Sequence, residues 1–153
     1  VNERELLTEW AAALLAGLDA EVDENTKTRV MEYCGRACAV AHESVETANA
    51  IRREVGGIDE LLEELNRVDG FWCGEWLRDG EAVYSICADC GCPLVMESLL
   101  EPSPVFCECS RGWVKAVFEE VFGGPVDVEL EQAIGRGDPA CEFVVSPARP
   151  PEA

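Results

Sequence analysis

Five cysteines fall within 23 residues, in the stretch CADCGCPLVMESLLEPSPVFCEC from Cys87 to Cys109. Four uses are open to them: metal ligands, reactive thiols, disulfide staples, or small side chains filling a core. Alternate side chains of an extended chain share a face. If the segments are extended, Cys90 with Cys92 and Cys107 with Cys109 each present two sulfurs to one side. Cys87 and Cys90 add a C-x-x-C step, a spacing common in zinc and iron–sulfur sites. A matching set recurs upstream. Cys34, Cys38 and His42 are four residues apart, so on a helix they lie within about 80° of one another. These are soft or borderline donors facing one way. The alternative is that CGRACAVA is a small-residue helix face packed against a sheet, with His42 one turn too far along. Cys141 stands alone near the end, and Cys73 beside Trp72 reads as a small buried hydrophobe.

A closed zinc site takes about four thiolate or imidazole ligands. The eight cysteines other than Cys73 exceed that, with Cys34, Cys38, Cys90, Cys92, Cys107, Cys109 and Cys141 as the foremost candidates, enough for two sites or for one site and a thiol pair. Spacing does not partition them. Nine cysteines is an odd number, so complete internal pairing is impossible. The aromatic residues Trp72, Trp76, Tyr84, Phe106 and Trp113 offer walls for an apolar pocket beside the sulfurs, although core packing is their commoner use. GGPVDV and GRGDP do not form a phosphate-binding loop opening a helix. Arg136-Gly137-Asp138 reads as turn chemistry. His42 is the sole histidine and sits in a helical stretch, which argues against a serine triad.

The elements that must position these residues follow from hydrophobic period. ERELLTEWAAALLAGLDAEV places Leu6, Leu7, Trp10, Leu14 and Leu18 on a helical stripe. A second helix, capped by Asn25 or Thr26, runs through TRVMEYCGRACAVAHESV with Val30, Tyr33, Ala37 and Ala41 on one side. IDELLEELNRV, after Gly56-Gly57, turns Leu61, Leu62 and Leu65 inward. FWCGEWL and EAVYSIC flank RDGE, a hairpin signal. CPLVMESLL reads as a third strand, and Pro102 and Pro104 keep EPSPVFCEC extended. Ser110 caps a helix through RGWVKAVFEEVF. VDVELEQAI and ACEFVVS close the chain as a second hairpin. The order predicts an α+β fold, N-terminal helices on an antiparallel sheet, in one domain over 1–146 with a loose tail at 147–153.

With 31 acidic and 12 basic residues the formal charge is -19. Such a surface repels nucleic-acid phosphates and anionic lipid, and serves chiefly to solubilise. No stretch approaches the roughly 18 apolar residues of a membrane span. The opening residues lack a signal peptide's basic-then-apolar order. We therefore expect a cytoplasmic protein with neither nucleic-acid nor membrane partner, in whose reducing surroundings clustered cysteines read as metal ligands or reactive thiols.

The stretch FCECSRGWVKAVFEEVFGGPVDVELEQAIGRGDPACEFVV, a quarter of the chain, resembles the closing half of the 4-vinyl reductase-type domain. It has the cysteine before a glycine-containing helix, the G-x-P, the acidic strand and GD-x-x-C-x-F. The resemblance implies an α+β domain that binds a hydrophobic or aromatic small molecule. In the sensor branch it implies a zinc ion held by three cysteines and a glutamate. Carried over, the first ligand falls on Cys107 and the last on Cys141. The intervening Glu-x-x-Cys falls on Leu130 and Ala133, so other thiols must substitute, with Glu129 and Glu131 flanking the first gap. Some relatives are similar to cyclic-thiazoline hydrolases, which would make a cysteine a nucleophile or part of a metal centre. The sequence thus points first to a zinc-binding sensory domain, acting as a homodimer or through a partner protein. A small hydrolase and an iron–sulfur protein are the alternatives.

Overall fold

Asn2 Oδ1 accepts from the Glu5 amide at 2.9 Å while Glu5 Oε2 accepts from the Asn2 amide at 3.0 Å. This reciprocal cap starts helix α1 (Glu3–Glu21). In the computed structural model, which describes residues 1–149, α1 is followed by α2 (Glu24–Ala41), α3 (Ser44–Glu54) and α4 (Ile58–Arg67). Asp23, rather than Asn25 or Thr26, caps α2, accepting from the Thr26 amide at 3.0 Å. The expected long second helix is two. Glu43 adopts a left-handed φ of 56°, and α3 restarts beyond it.

The sheet contains β1 (Leu77–Asp79), β2 (Ala82–Cys87), β3 (Val126–Gln132) and β4 (Cys141–Pro147), all antiparallel in the order β1-β2-β4-β3. The Asp79-Gly80 turn joins β1 to β2 as expected, with Gly80 at a φ of 62°. FWCGEWL is strand only at its end. Asn66 explains why: its amide donates to the Trp76 carbonyl at 2.9 Å and its oxygen accepts from the Trp76 amide at 2.8 Å. A side chain thereby satisfies both backbone groups that a neighbouring strand would use.

CPLVMESLL is not a strand. Pro93 opens a single helical turn, α5 (Pro93–Met96). The helix expected to start at Ser110 starts earlier, as α6 (Pro104–Phe122), with Ser103 Oγ accepting from the Phe106 amide at 3.2 Å. Pro104 occupies the first turn, where the missing N–H costs nothing. Cys107 and Cys109 are therefore helical, not extended. The tail is tied farther than expected, since β4 reaches Pro147 and the Ala148 amide bonds the Pro125 carbonyl. Residues 150–153 of that tail lie outside the described range.

Helix α6 is the hub. Its middle and C-terminal half pack in the main core with Leu61, Leu65, Trp76, Val83, Phe143 and Val145. On another side it crosses α2 with backbone against backbone. A Cβ on Gly35 would meet the Cys109 carbonyl oxygen and lie 2.5 Å from Trp113 N, and one on Gly112 would lie 2.7 Å from the Glu32 carbonyl. Arg36 bridges the same helices, its Nη1 and Nη2 donating to Glu119 at 2.8 and 2.7 Å and its Nε to Glu32 at 2.9 Å. The Glu119 carboxylate, opposed by burial and aided by Glu32, holds the guanidinium firmly charged.

Two stripes run differently from expectation. In α2 the buried residues are Lys27, Met31, Gly35 and Ala39, while Val30 and Tyr33 face outward. In α1 the inner residues are Leu15 and Leu18, packed on Met31, Val105 and Phe106, whereas Leu6, Leu7, Trp10 and Leu14 are exposed. In α4 the expected residues, Leu61, Leu62 and Leu65, are buried.

Candidate thiol and aromatic site

Two residues apart on a helix means about 200° apart around it. Cys107 and Cys109 consequently project from different sides of α6, with different thiols foremost in the surroundings of each. Cys107 faces Cys141 at the start of β4 and Cys90 on the irregular segment before α5. Successive amides serve these sulfurs: Ile134 N–H donates to Cys141 Sγ at 3.4 Å, and Gly135 N–H points to Cys107. Position 135 admits no side chain, because a Cβ would fall 2.5 Å from Cys107 Sγ. Burial pushes Cys107 up to about 11, opposed by the Gly135 amide and reinforced by Cys141 and Cys90. Burial likewise raises Cys141, against the Ile134 amide.

On the other side, Cys109 meets Cys38 and Cys34 of α2 and Cys92 at the cap of α5. Burial, followed by those neighbouring thiols, pushes Cys109 up to about 12. Cys38 and Cys92 are raised by burial first as well. Helix α2, the stretch 90–92 and β4 thus bring five free thiols to the neighbourhood of the two on the first half of α6. Among the described residues, no three His, Cys, Asp or Glu side chains converge closely enough to hold one ion as they stand.

Burial of this kind favours the neutral thiol, which makes Cys38, Cys92, Cys107, Cys109 and Cys141 weak nucleophiles near neutral pH. The sign of the linkage follows. A folded-state pKa above the unfolded value near 9.0 leaves stability intact below pH 9 and erodes it up to pH 12, because the unfolded chain loses its proton first. Urea denaturation of the metal-free protein at pH 8 and pH 10.5 will show a lower midpoint at the higher pH. Equal midpoints would contradict the burial of Cys109.

The remaining two cysteines are joined. Cys73 and Cys87 form a disulfide, against the expectation of an unpaired small hydrophobe at 73 and a C-x-x-C ligand at 87. The chain brings their Cα atoms to 5.4 Å, within ordinary disulfide range. Gly91, between Cys90 and Cys92, rests against this bridge, where a Cβ would lie 2.6 Å from Cys73 Cβ. Cys87 also pairs with Cys141 across the β2–β4 ladder.

Trp72, Trp76 and Trp113 meet in the main core. Trp72 stacks on Trp113 with centroids 4.6 Å apart, contacts Trp76 at 5.2 Å, and donates through Nε1 to Ser85 Oγ at 3.1 Å. Trp76 packs on Phe118 at 4.4 Å. Tyr84 does not join them, because it alternates with the buried Val83 and Ser85 and takes the opposite face of the sheet. Phe106 belongs to the separate cluster around Met31. Trp76 is 1% exposed, yet its Nε1 has no hydrogen-bond partner among the described residues.

Residues 2–151 match the model of a family of unknown function, DUF6144. The chain belongs to that family. No curated protein matches it. Among solved structures, the DUF6144 fold is similar to the phenol-responsive sensory domain of the transcription activator PoxR, determined with phenol. The TM-score is 0.54 at 15% identity, over 95% of this chain and 75% of that one. At that identity the likeness is one of fold.

In this DUF6144 chain the positions that carry Glu-x-x-Cys in the zinc-holding sensors are packed inward, Leu130 at 8% and Ala133 at 0% exposure. Glu129 and Glu131 point the other way, to solvent, so neither replaces the lost carboxylate. Cys90 lies near enough to Cys107 and Cys141 for its charge to act on both. His42 is exposed at the C-terminal cap of α2. Sequence reasoning missed two features, the disulfide and the amide pair at Ile134-Gly135. Only the latter left a local sign, in the glycine ahead of GD-x-x-C.

Among the described residues, no helix is long and apolar enough to cross a membrane.

Proposed function

We propose that the domain binds a small aromatic molecule carrying an acceptor oxygen, in the nest formed by Trp72, Trp76 and Trp113. The observation that carries this reading is the orphan donor on Trp76. A buried N–H without a partner costs on the order of 1–3 kcal/mol, and a ligand hydroxyl placed among the rings would relieve it. The fold likeness to a phenol-responsive domain supports the same chemistry. The rings now fill the nest, and Phe71 and Trp72 lie on the irregular segment between α4 and β1. Entry of a ligand requires movement of that segment rather than of the helices.

Phenol is the probe, with tryptophan fluorescence and calorimetry as readouts. Trp76→Phe keeps the ring and removes the N–H, and should weaken phenol binding at least tenfold. Unchanged affinity in that variant, or no binding of phenol and simple alkylphenols to the wild type, would overturn the reading.

Beside the nest we read the thiols as ligands of a metal, zinc first. The donor set is soft, and two successive amides are aimed at Cys107 and Cys141 in the manner of groups that steady thiolates. Cys90, Cys107 and Cys141 would hold one ion. Cys34, Cys38, Cys92 and Cys109 would hold a second, after side-chain rotation brings the sulfurs together. The ion would fix the entry of β4 against α6 and lower the thiol pKa values. Cys107→Ser and Cys141→Ser are each expected to lower metal content in the purified protein. Full occupancy in both removes them from the site, and a brown protein from anaerobic purification replaces zinc with an iron–sulfur cluster.

A further inference from the structure

Helix α1 is firmly capped, yet none of its residues is buried. Its inner line, Thr8, Ala11, Leu15 and Leu18, leans on the cluster around Met31 and Phe106. A second apolar line spans about 120° of the helix on the other side, through Leu6, Leu7, Trp10, Ala13, Leu14 and Gly17. Its large members are exposed, Leu6 at 63%, Leu7 at 65%, Trp10 at 61% and Leu14 at 49%. The remaining side carries Glu5, Glu9 and Asp19, and within the outer line itself charges stand only at its two ends, Glu3 and Glu21. A helix apolar on two sides calls for cover on both.

We propose that the outer line of α1 docks on the same line of a second copy of this chain, the two helices antiparallel and crossing near residue 12. In that register Trp10 meets Leu14 of the second copy, and Leu7 drops over its Gly17. Gly17 has the space for this, since nothing lies within 4 Å of a Cβ built there. A glycine in mid-helix otherwise only weakens the helix, by about 1 kcal/mol against alanine. The four large side chains expose roughly 450 Å² per copy, so pairing would bury at most about 900 Å² from them and about 1,000 Å² with Ala13 and Gly17, the size of a weak, reversible interface. The ends of the line carry Glu3 and Glu21, which come together in this register and repel. Added salt screens that repulsion, as well as the -19 charge on each copy.

Sedimentation or light scattering of the protein over 1–100 µM (roughly the range in which an interface of this size associates) reads the outcome. The wild type should be a dimer that tightens as salt is raised. Trp10→Glu and Gly17→Leu should each weaken association at least tenfold with an unchanged circular dichroism spectrum. Gly17→Leu favours the helix, so its loss of association is not a folding defect. A monomeric wild type at every concentration, or a dimer indifferent to both substitutions, overturns the proposal.

Discussion

Gly35→Ala will lower the stability of the domain by about 3 kcal/mol, at the upper end of what overpacking costs, because nothing at this point can yield. The obstacles to the new Cβ are the Cys109 carbonyl, Trp113 N and Gly112 Cα, all backbone atoms of α6. A side chain could rotate away, but the helix must translate. Translation would open the Arg36 bridge to Glu119 and draw Cys34 and Cys38 away from Cys109. Urea denaturation should show the lower midpoint, and alkylation of Cys109 in the folded state should accelerate as its burial is lost. Gly112→Ala, working from the opposite helix against the Glu32 carbonyl, should act in the same direction. A neutral effect in both variants would mean that the helices do not cross at the distance described.

Removing the bridge between Cys73 and Cys87 is the second large effect. The two are 14 residues apart, and closing a loop of about that length stabilises a fold by about 3 kcal/mol through the unfolded chain. The segment it restrains carries Phe71 and Trp72, which otherwise depend on side-chain contacts and on the Trp72–Ser85 hydrogen bond. The double variant Cys73→Ala/Cys87→Ala should unfold at a lower urea concentration and ignore reductant. The wild type with reductant should fall to the same midpoint, since Cys87 is buried and alanine leaves no polar group there. If phenol enters by displacement of this segment, the same variant should bind it faster. Identical midpoints with and without reductant in the wild type would show that the bridge does not form.

The α+β class, the amphipathic α4, the Asp79-Gly80 turn and the closing pair of strands were legible because each depends on local period or turn chemistry. Prolines misled. Reading Pro102 and Pro104 as enforcing extension overlooks that proline is as much at home in the first helical turn, where Pro104 sits, and that single step puts Cys107 and Cys109 on one face instead of two. The outer residues of α1 and α2 were read as inward because they are apolar; what lies across from a helix is not written within it. The grouping of thiols was beyond reach for a similar reason. Cys141 meets Cys107 only because β4 lies between β2 and β3, an order that no spacing records. Residue type alone groups the five aromatics; the structure brings Trp72, Trp76 and Trp113 into contact, sets Tyr84 on the other face of β2 and places Phe106 in the cluster around Met31.

The pairing of Cys87 with Cys141 across the ladder makes the sheet a ruler for the sulfur chemistry. A slip of one residue along that ladder turns every side chain of β4 to the reverse side. It would carry Cys141 out of reach of Cys107 and push Phe143 and Val145 into water in the same stroke. A sheet slipped by one residue is thus penalised by the loss of its own core, so that misplacing the thiol in this way also costs the chain its greasy interior.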